Sequence, residues 1–218
     1  MKKIIFGFML LAIFSNLLSC GNPLIRAITD KLFEGYTFTH DIGDIGPGSG
    51  IIFYRSAEGF KVEGYGANSS VSGYFASYTA HYLEAAPSNS DLGIGQQWGP
   101  LSSIPGVTTF TSLSDPLASA IGNGRKDTQI MIENPYSTPA VQLIGGMPFG
   151  GQNDWFLPSL GELNMLYQSG VSGISSGLYW SSSQGFFSNE AWLLDLSSGS
   201  PGTDSKTNSH SVRAIRAF

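Results

Sequence analysis

The 218-residue chain has one cysteine, Cys20, and three histidines, so few kinds of chemistry are open to it. A second thiol for a disulfide is missing, and so is the cluster of Cys and His that a zinc site needs. Acyl transfer would need a serine, a histidine and a carboxylate within mutual reach. Ser181, His81, His210 and several carboxylates supply the residue types, but nothing in their spacing unites them. There is no His-Glu-x-x-His pair and no phosphate-binding glycine loop. His40, Asp41 and Asp44 could be read as a metal cluster, as could Asp154 beside Asn153. The favoured reading is that these Asp and Asn residues start turns by bonding their own backbone. No twelve-residue calcium loop is present, and no metal or cofactor is indicated.

Cys20 is the residue whose surroundings do specify a reaction. Lys2 and Lys3 give a short basic start, and Ile4 to Leu18 form an almost wholly apolar run interrupted by Ser15 and Asn16. The run is shorter than the roughly twenty residues of a spanning helix and ends at a small residue before the cysteine, which is the form of a signal peptide. Leu17-Leu18-Ser19-Cys20 resembles the bacterial lipobox, in which the thiol is diacylglycerylated and cleavage leaves that cysteine as the first residue. The expected organisation is a signal peptide over 1–19, a lipidated N-terminus and tether over 20–40, and one domain over 41–218. Acyl chains on Cys20 would hold the protein on a membrane outside the cytoplasm, in the cell envelope.

Composition narrows the partners of that domain. Charged residues make up 12% of the chain and glycines number 28, so Ser, Thr, Asn and backbone must supply most of the polar surface. The net charge is −5, and losing Lys2 and Lys3 with the leader removes two positive charges and makes it −7. No cluster of Lys or Arg is visible downstream, which excludes a phosphate-tracking nucleic-acid binder and disfavours polyanions.

Elements able to position a site can be read from spacing. Leu24, Ile25, Ile28 and Leu32 fit one face of a short helix over Pro23 to Phe33. Asp41 to Tyr54 packs glycines and a proline ahead of a β-branched and aromatic run, a turn feeding a strand. Short strands are expected around Phe60 to Gly64 and His81 to Ala85, and helices over Asp127 to Glu133 and Pro139 to Ile144. The best-marked helix starts at Ser159, where Ser159-Leu160-Gly161-Glu162 forms a capping box, and stops at Gly170. Leu178 to Ser182, Ala191 to Leu196 and Ser211 to Phe218 read as antiparallel strands, with Trp192, Leu194 and Leu196 alternating as in a half-buried strand. Ser197 to Asn208 reads as a loop. The mixture lacks a βαβ rhythm, so the class is α+β.

Several ordered blocks add a family to this reading. Gly43-Asp44-Ile45-Gly46-Pro47 to Phe53-Tyr54, Tyr82-Leu83-Glu84-Ala85-Ala86-Pro87, Asp154-Trp155-Phe156-Leu157-Pro158-Ser159 with Glu162-Leu163, Tyr179-Trp180-Ser181-Ser182-Ser183, Ala191-Trp192 and Ser211-Val212-Arg213-Ala214-Ile215-Arg216 together resemble the Lcl C-terminal domain family over nearly the whole mature chain. That family occurs in bacterial surface lipoproteins and collagen-like adhesins. The resemblance implies a C-type-lectin-like fold, similar to that of formylglycine-generating enzymes, with a twisted antiparallel sheet, two main helices and long irregular loops. It also implies a binding or adhesive role, because a fold alone does not fix a function. The enzymatic branch of the fold uses paired active-site cysteines with a metal, which a domain without cysteine cannot do. C-type-lectin-like folds sometimes carry a loop-bound Ca²⁺, and adhesin relatives bind sulfated polysaccharides, a ligand class that the acidic balance here disfavours.

Trp155, Trp180 and Trp192 are expected in the core. The ligand candidates are Asn153 and the run from Trp180 through Ser182, Ser183 and Gln184, with the Ser197 to Asn208 connection, taken as loop surface able to bond a neutral glycan or a peptide backbone. Glu162, or a carboxylate near it, is expected to pair with Arg213 or Arg216, because a strand rich in Val212, Ala214 and Ile215 would otherwise half-bury an unpaired guanidinium. The function expected is non-catalytic binding of a glycan or protein by a lipid-anchored envelope protein. The alternative is a structural envelope lipoprotein with no small ligand, and self-association stays open in both. The anchor is directly testable. Cys20→Ser should abolish palmitate labelling and leave uncleaved precursor; normal processing of that variant would contradict the lipoprotein reading.

Overall fold

The computed structural model describes residues 38–87, 95–145 and 149–218. The leader, Cys20 and the helix expected from Pro23 to Phe33 lie outside the described residues. His40 to Phe218 form one compact unit. Its class is α+β, with antiparallel sheets, several short helices and long loops. None of its helices is long and apolar enough to cross a membrane, among the described residues.

The first sheet has the order β1-β2-β8, from Ile51–Val62, Tyr78–Ala85 and Ile215–Ala217. The two short strands expected before Gly64 are one irregular strand, β1, whose pairing with β2 shifts register twice, once between Arg55 and Phe60. Gly59, at a left-handed φ of 75°, sits at the end of that irregular stretch. A two-residue pair joins β3 (Gln96–Gln97) to β7 (Ser209–His210).

The second sheet has the order β4-β5-β6, from Leu178–Gln184, Glu190–Asp195 and Ser200–Ser205. Here the expected loop from Ser197 to Asn208 is corrected, because six of its residues form β6, paired in continuous register with β5. Ser-Pro-Gly-Thr-Asp-Ser has little strand propensity, but at a sheet edge proline can stand without its missing N–H being needed. The strand at β5 is also more deeply placed than its alternation suggested. Ala191 to Leu194 are all buried, Trp192 and Leu194 in the cluster with Phe53, Leu83 and Phe156, Leu193 and Ala191 in the cluster with Trp98, Met131 and Trp180. This sheet therefore separates two apolar cores.

Helices α1 (Pro116–Ser119), α2 (Gly124–Ile132), α3 (Pro139–Gly145) and α4 (Leu160–Ser169) close those cores. α4 forms as its sequence dictates. The Ser159 hydroxyl accepts the Glu162 N–H, the Glu162 carboxylate accepts the Ser159 N–H at 2.7 Å, and Gly170 ends the helix at a left-handed φ of 62°. Leu160, Leu163 and Leu166 bury the inward face. The inward face of α2 is different, since Gly124, Asp127, Thr128 and Met131 are its buried residues and two of them are polar.

Candidate functional site

The residues expected to bind ligand lie mostly in the interior. Trp180, Ser181, Ser182 and Ser183 are fully buried and Gln184 is 4% exposed. Pairing of β4 with β5 shifts register between Trp180 and Gln184, and the freed backbone turns to other segments. Ser182 N–H donates to Pro158 O at 2.7 Å, Gln184 N–H to Thr108 O at 2.9 Å, and the Ser183 hydroxyl accepts Leu160 N–H at 3.3 Å. The Ser181 hydroxyl donates to Trp192 O, and the Trp180 indole donates to Gln96 O. These small polar side chains are interior fittings, not a loop surface, and the expectation for Trp180, Ser182, Ser183 and Gln184 is corrected accordingly. A hydroxyl in a strand can face a solvent loop or a neighbouring backbone, and composition cannot tell which. Of the ligand candidates Asn153 is exposed, as are Ser197, Ser198, Thr207 and Asn208 at the two ends of the 197–208 connection.

Gln184 is the centre of this seam. Its Oε1 accepts Ile104 N–H and the Lys206 ammonium, each at 2.8 Å, and its Nε2 donates to Ile104 O and Thr109 Oγ1. The Lys206 Nζ also donates to Ser102 O at 3.0 Å and Ser188 O at 2.7 Å, and lies 4.6 Å from the Trp98 ring centroid. Burial pulls this ammonium down to about 8. Three acceptors and a ring face match the donors of one ammonium.

Two buried carboxylates face the α2–α4 region. Glu162, besides capping α4, accepts Gly122 N–H at 2.7 Å, and burial raises its pKa. It does not meet Arg213 or Arg216 as expected; backbone amides take the place foreseen for a guanidinium. Arg213 is buried and donates to Gly173 O at 3.0 Å. Asp127 accepts the Thr108 N–H and hydroxyl on Oδ1 at 3.0 and 3.2 Å, with Lys126 Nζ at 3.9 Å, while its Oδ2 and the buried hydroxyl of Ser182 have no hydrogen-bond partner among the described residues. Burial pushes this carboxyl up to about 7.

Arg216 does form a buried ion pair, with a partner the sequence did not suggest. Its Nη1 lies 3.3 Å from Oε2 of the fully buried Glu84, and its Nε 2.9 Å from Asp154 Oδ1. Glu84 also accepts Gly48 N–H on both oxygens and Gly50 N–H at 2.7 Å. The pairing was hidden because Glu84 and Arg216 are 132 residues apart and meet only through β2–β8 register.

Arrangements that could suggest catalysis are otherwise engaged. His210 Nε2 lies 2.6 Å from Asp204 Oδ2, but Asp204 Oδ1 takes the Asn208 amide and the His210 ring stands edge-on to Trp180 at 4.6 Å. Gly173-Ile-Ser-Ser-Gly177 has the Gly-x-Ser-x-Gly spacing, yet it links helix α4 to strand β4, the reverse of the strand-to-helix turn that exposes a nucleophile. Asp44 Oδ2 accepts Asp41 N–H at 2.7 Å, closing the turn from its end rather than starting it, and Asp41 Oδ1 pairs with Arg55 at 2.6 Å. Among the described residues no group of three or more His, Cys, Asp or Glu is placed to hold a metal. What the surface offers instead is apolar: Phe186 and Phe187, in the turn after β4, are 64% and 58% exposed. Their signal in the sequence is two adjacent aromatics inside a Gly/Ser/Asn turn.

Two outcomes follow for stability. Arg216→Ala should cost about 3–5 kcal/mol in urea unfolding, because it strands Glu84 in the interior; a loss under about 1 kcal/mol, as for an exposed pair, would contradict that. For Asp127, folding raises the pKa from 3.8 to about 7. Its contribution is therefore full below about pH 4 and is lost as pH rises through about 7, a range worth up to roughly 4 kcal/mol. Asp127→Asn keeps the Oδ1 acceptor and removes the charge. It should be more stable than wild type at about pH 8 and show a flatter dependence between about pH 4 and 8; parallel curves would show that Asp127 is not the titrating group.

No curated protein matches this chain. The family model of the Lcl C-terminal domain matches residues 111–216, so the blocks from Gly43 to Tyr54 and Tyr82 to Pro87 fall outside the matched range. They are nonetheless built into the same unit, since β8 pairs with β2 and Arg216 with Glu84. The chain thus contains an Lcl C-terminal domain, at residues 111–216, of a family associated with bacterial surface lipoproteins and adhesins.

Proposed function

We propose that this is a lipid-anchored, extracytoplasmic envelope protein whose domain is a non-catalytic binding module for a glycan or protein ligand. The observation that carries the reading is a division of labour among side chains. Glu84, Glu162, Lys206 and Arg216, the buried groups most able to do chemistry, are tied to backbone amides, carbonyls or each other, whereas exposed turns carry aromatic and aliphatic side chains. Surface apolar groups on rigid turns are the raw material of binding. The leader pattern ending at Cys20 and the family's association with surface proteins support the location.

The intact lipoprotein in detergent micelles, screened on printed glycans and immobilised extracellular-matrix proteins, should be retained by at least one of them and leave it chemically unchanged. Cleavage or modification of the ligand would overturn the non-catalytic reading. No retention on any surface would favour the structural alternative. Protease added to whole cells should remove the domain if the anchor faces outward.

A further inference from the structure

The turn between β4 and β5 has an unusual combination of exposed apolar groups and rigid backing. Phe186 and Phe187 stand mostly in solvent, and their rings meet edge to face, centroids 5.0 Å apart at 66°. The contact of Phe110 with Trp192, by contrast, buries both rings. The backbone beneath the pair is fixed at several points. Gly185 N–H donates to Glu190 O and Glu190 N–H to Phe187 O, each at 3.0 Å; Lys206 N–H donates to Asn189 O at 2.8 Å; and the Lys206 ammonium holds Ser188 O. The same ammonium holds Ser102 O, which draws the exposed segment Leu101-Ser102-Ser103 alongside. A turn so pinned loses little freedom when a ligand settles on it.

From this geometry we propose that Phe186 and Phe187, with the Leu101 to Ser103 segment beside them, form a binding site for an uncharged saccharide, which rests on the binding-module reading above. The edge-to-face contact covers one ring face and leaves others uncovered by it, and a ring face with its negative quadrupole suits the C–H-rich side of a pyranose. Ser102, Ser103, Ser188 and Asn189 are exposed around the pair and can donate to and accept from sugar hydroxyls. Charge complementarity selects against anions. Residues 101–103 and 185–190 contain no Lys or Arg, Lys206 is buried beneath them with its donors taken by Ser102 O, Ser188 O and Gln184, and the chain is net acidic. A sulfated or phosphorylated ligand would be repelled rather than drawn in.

Affinity electrophoresis of the intact lipoprotein in detergent, through native gels cast with starch, mannan or β-glucan and through gels cast with heparin, tests the site. Wild type should be retarded by at least one neutral polysaccharide and not by heparin. Phe186→Ala/Phe187→Ala should weaken that retardation at least tenfold with an unchanged melting curve, and Phe187→Tyr should restore it on a Phe186→Ala background. Retardation by heparin alone, or a folded double variant that binds as wild type does, would overturn the proposal. A membrane-inserted tip is the competing occupant: Phe187→Trp in vesicles of brominated phosphatidylcholine would then show quenching beyond that of the wild-type tryptophans, and that result would also overturn it. If no neutral polysaccharide binds while a protein ligand from the screen does, this site assignment fails and the binding-module reading stands. If nothing binds in either experiment, both fail.

Discussion

A carboxylate taken wholly out of water must recover its lost hydration from fixed donors, and here Glu84 recovers it from the two ends of the domain. Gly48 and Gly50 supply N–H groups from the turn before β1, and Arg216 supplies a guanidinium from β8. The glycines are required by proximity. A methyl group at Gly46 would overlap the Glu84 carboxylate, at Gly48 the Trp155 ring, and at Gly50 the Ala85 carbonyl. Arg216 is held in turn by Asp154 and Gln152, so one buried charge fixes the Gly-Pro-Gly-Ser-Gly turn, β2, β8 and the approach to α4. Such an arrangement favours a single geometry more surely than it adds stability, because desolvation offsets much of the attraction.

That constraint explains why the region before Thr111 cannot be separated from the matched domain that follows it. β8 needs β2 as its neighbour, and Phe156, Ile215 and Leu163 share one apolar cluster with Phe53 and Leu83. Without the first two strands, Arg216 would lose Glu84, keeping Asp154, Gln152 and the Trp155 and Phe218 rings, and the cluster would lose one wall. The single compact unit from His40 to Phe218 follows from those contacts.

The scarcity of charged residues has a second consequence inside the fold. With few charges available, serine, threonine and glutamine take over the bonding between segments that lack regular secondary structure. The Ser181 to Gln184 run binds the 98–110, 157–160 and 190–192 segments through single hydroxyls and amides. Lys206 and Gln184 extend the same function to the turn bearing Phe186 and Phe187. Rigidity of the exposed tip is thus a product of the polar interior behind it.

What the sequence by itself determined were the features governed by neighbouring residues. The Ser159 capping box, the Gly170 stop, the inward leucines of α4 and the turn at Asp41 to Asp44 all depend on spacings of a few residues, and so did the α+β class. The tertiary structure decided everything that depends on which side of a surface a residue falls. It turned Ser182, Ser183 and Gln184 inward, made an edge strand of Ser200–Ser205, gave Glu162 to backbone amides and brought Arg216 to Glu84 across the sheet. The physical reason is that a hydroxyl, an amide or a charge carries no local sign of its partner. Its burial is settled by long-range strand register, and only register tells a loop of small polar residues from a strand built of the same ones.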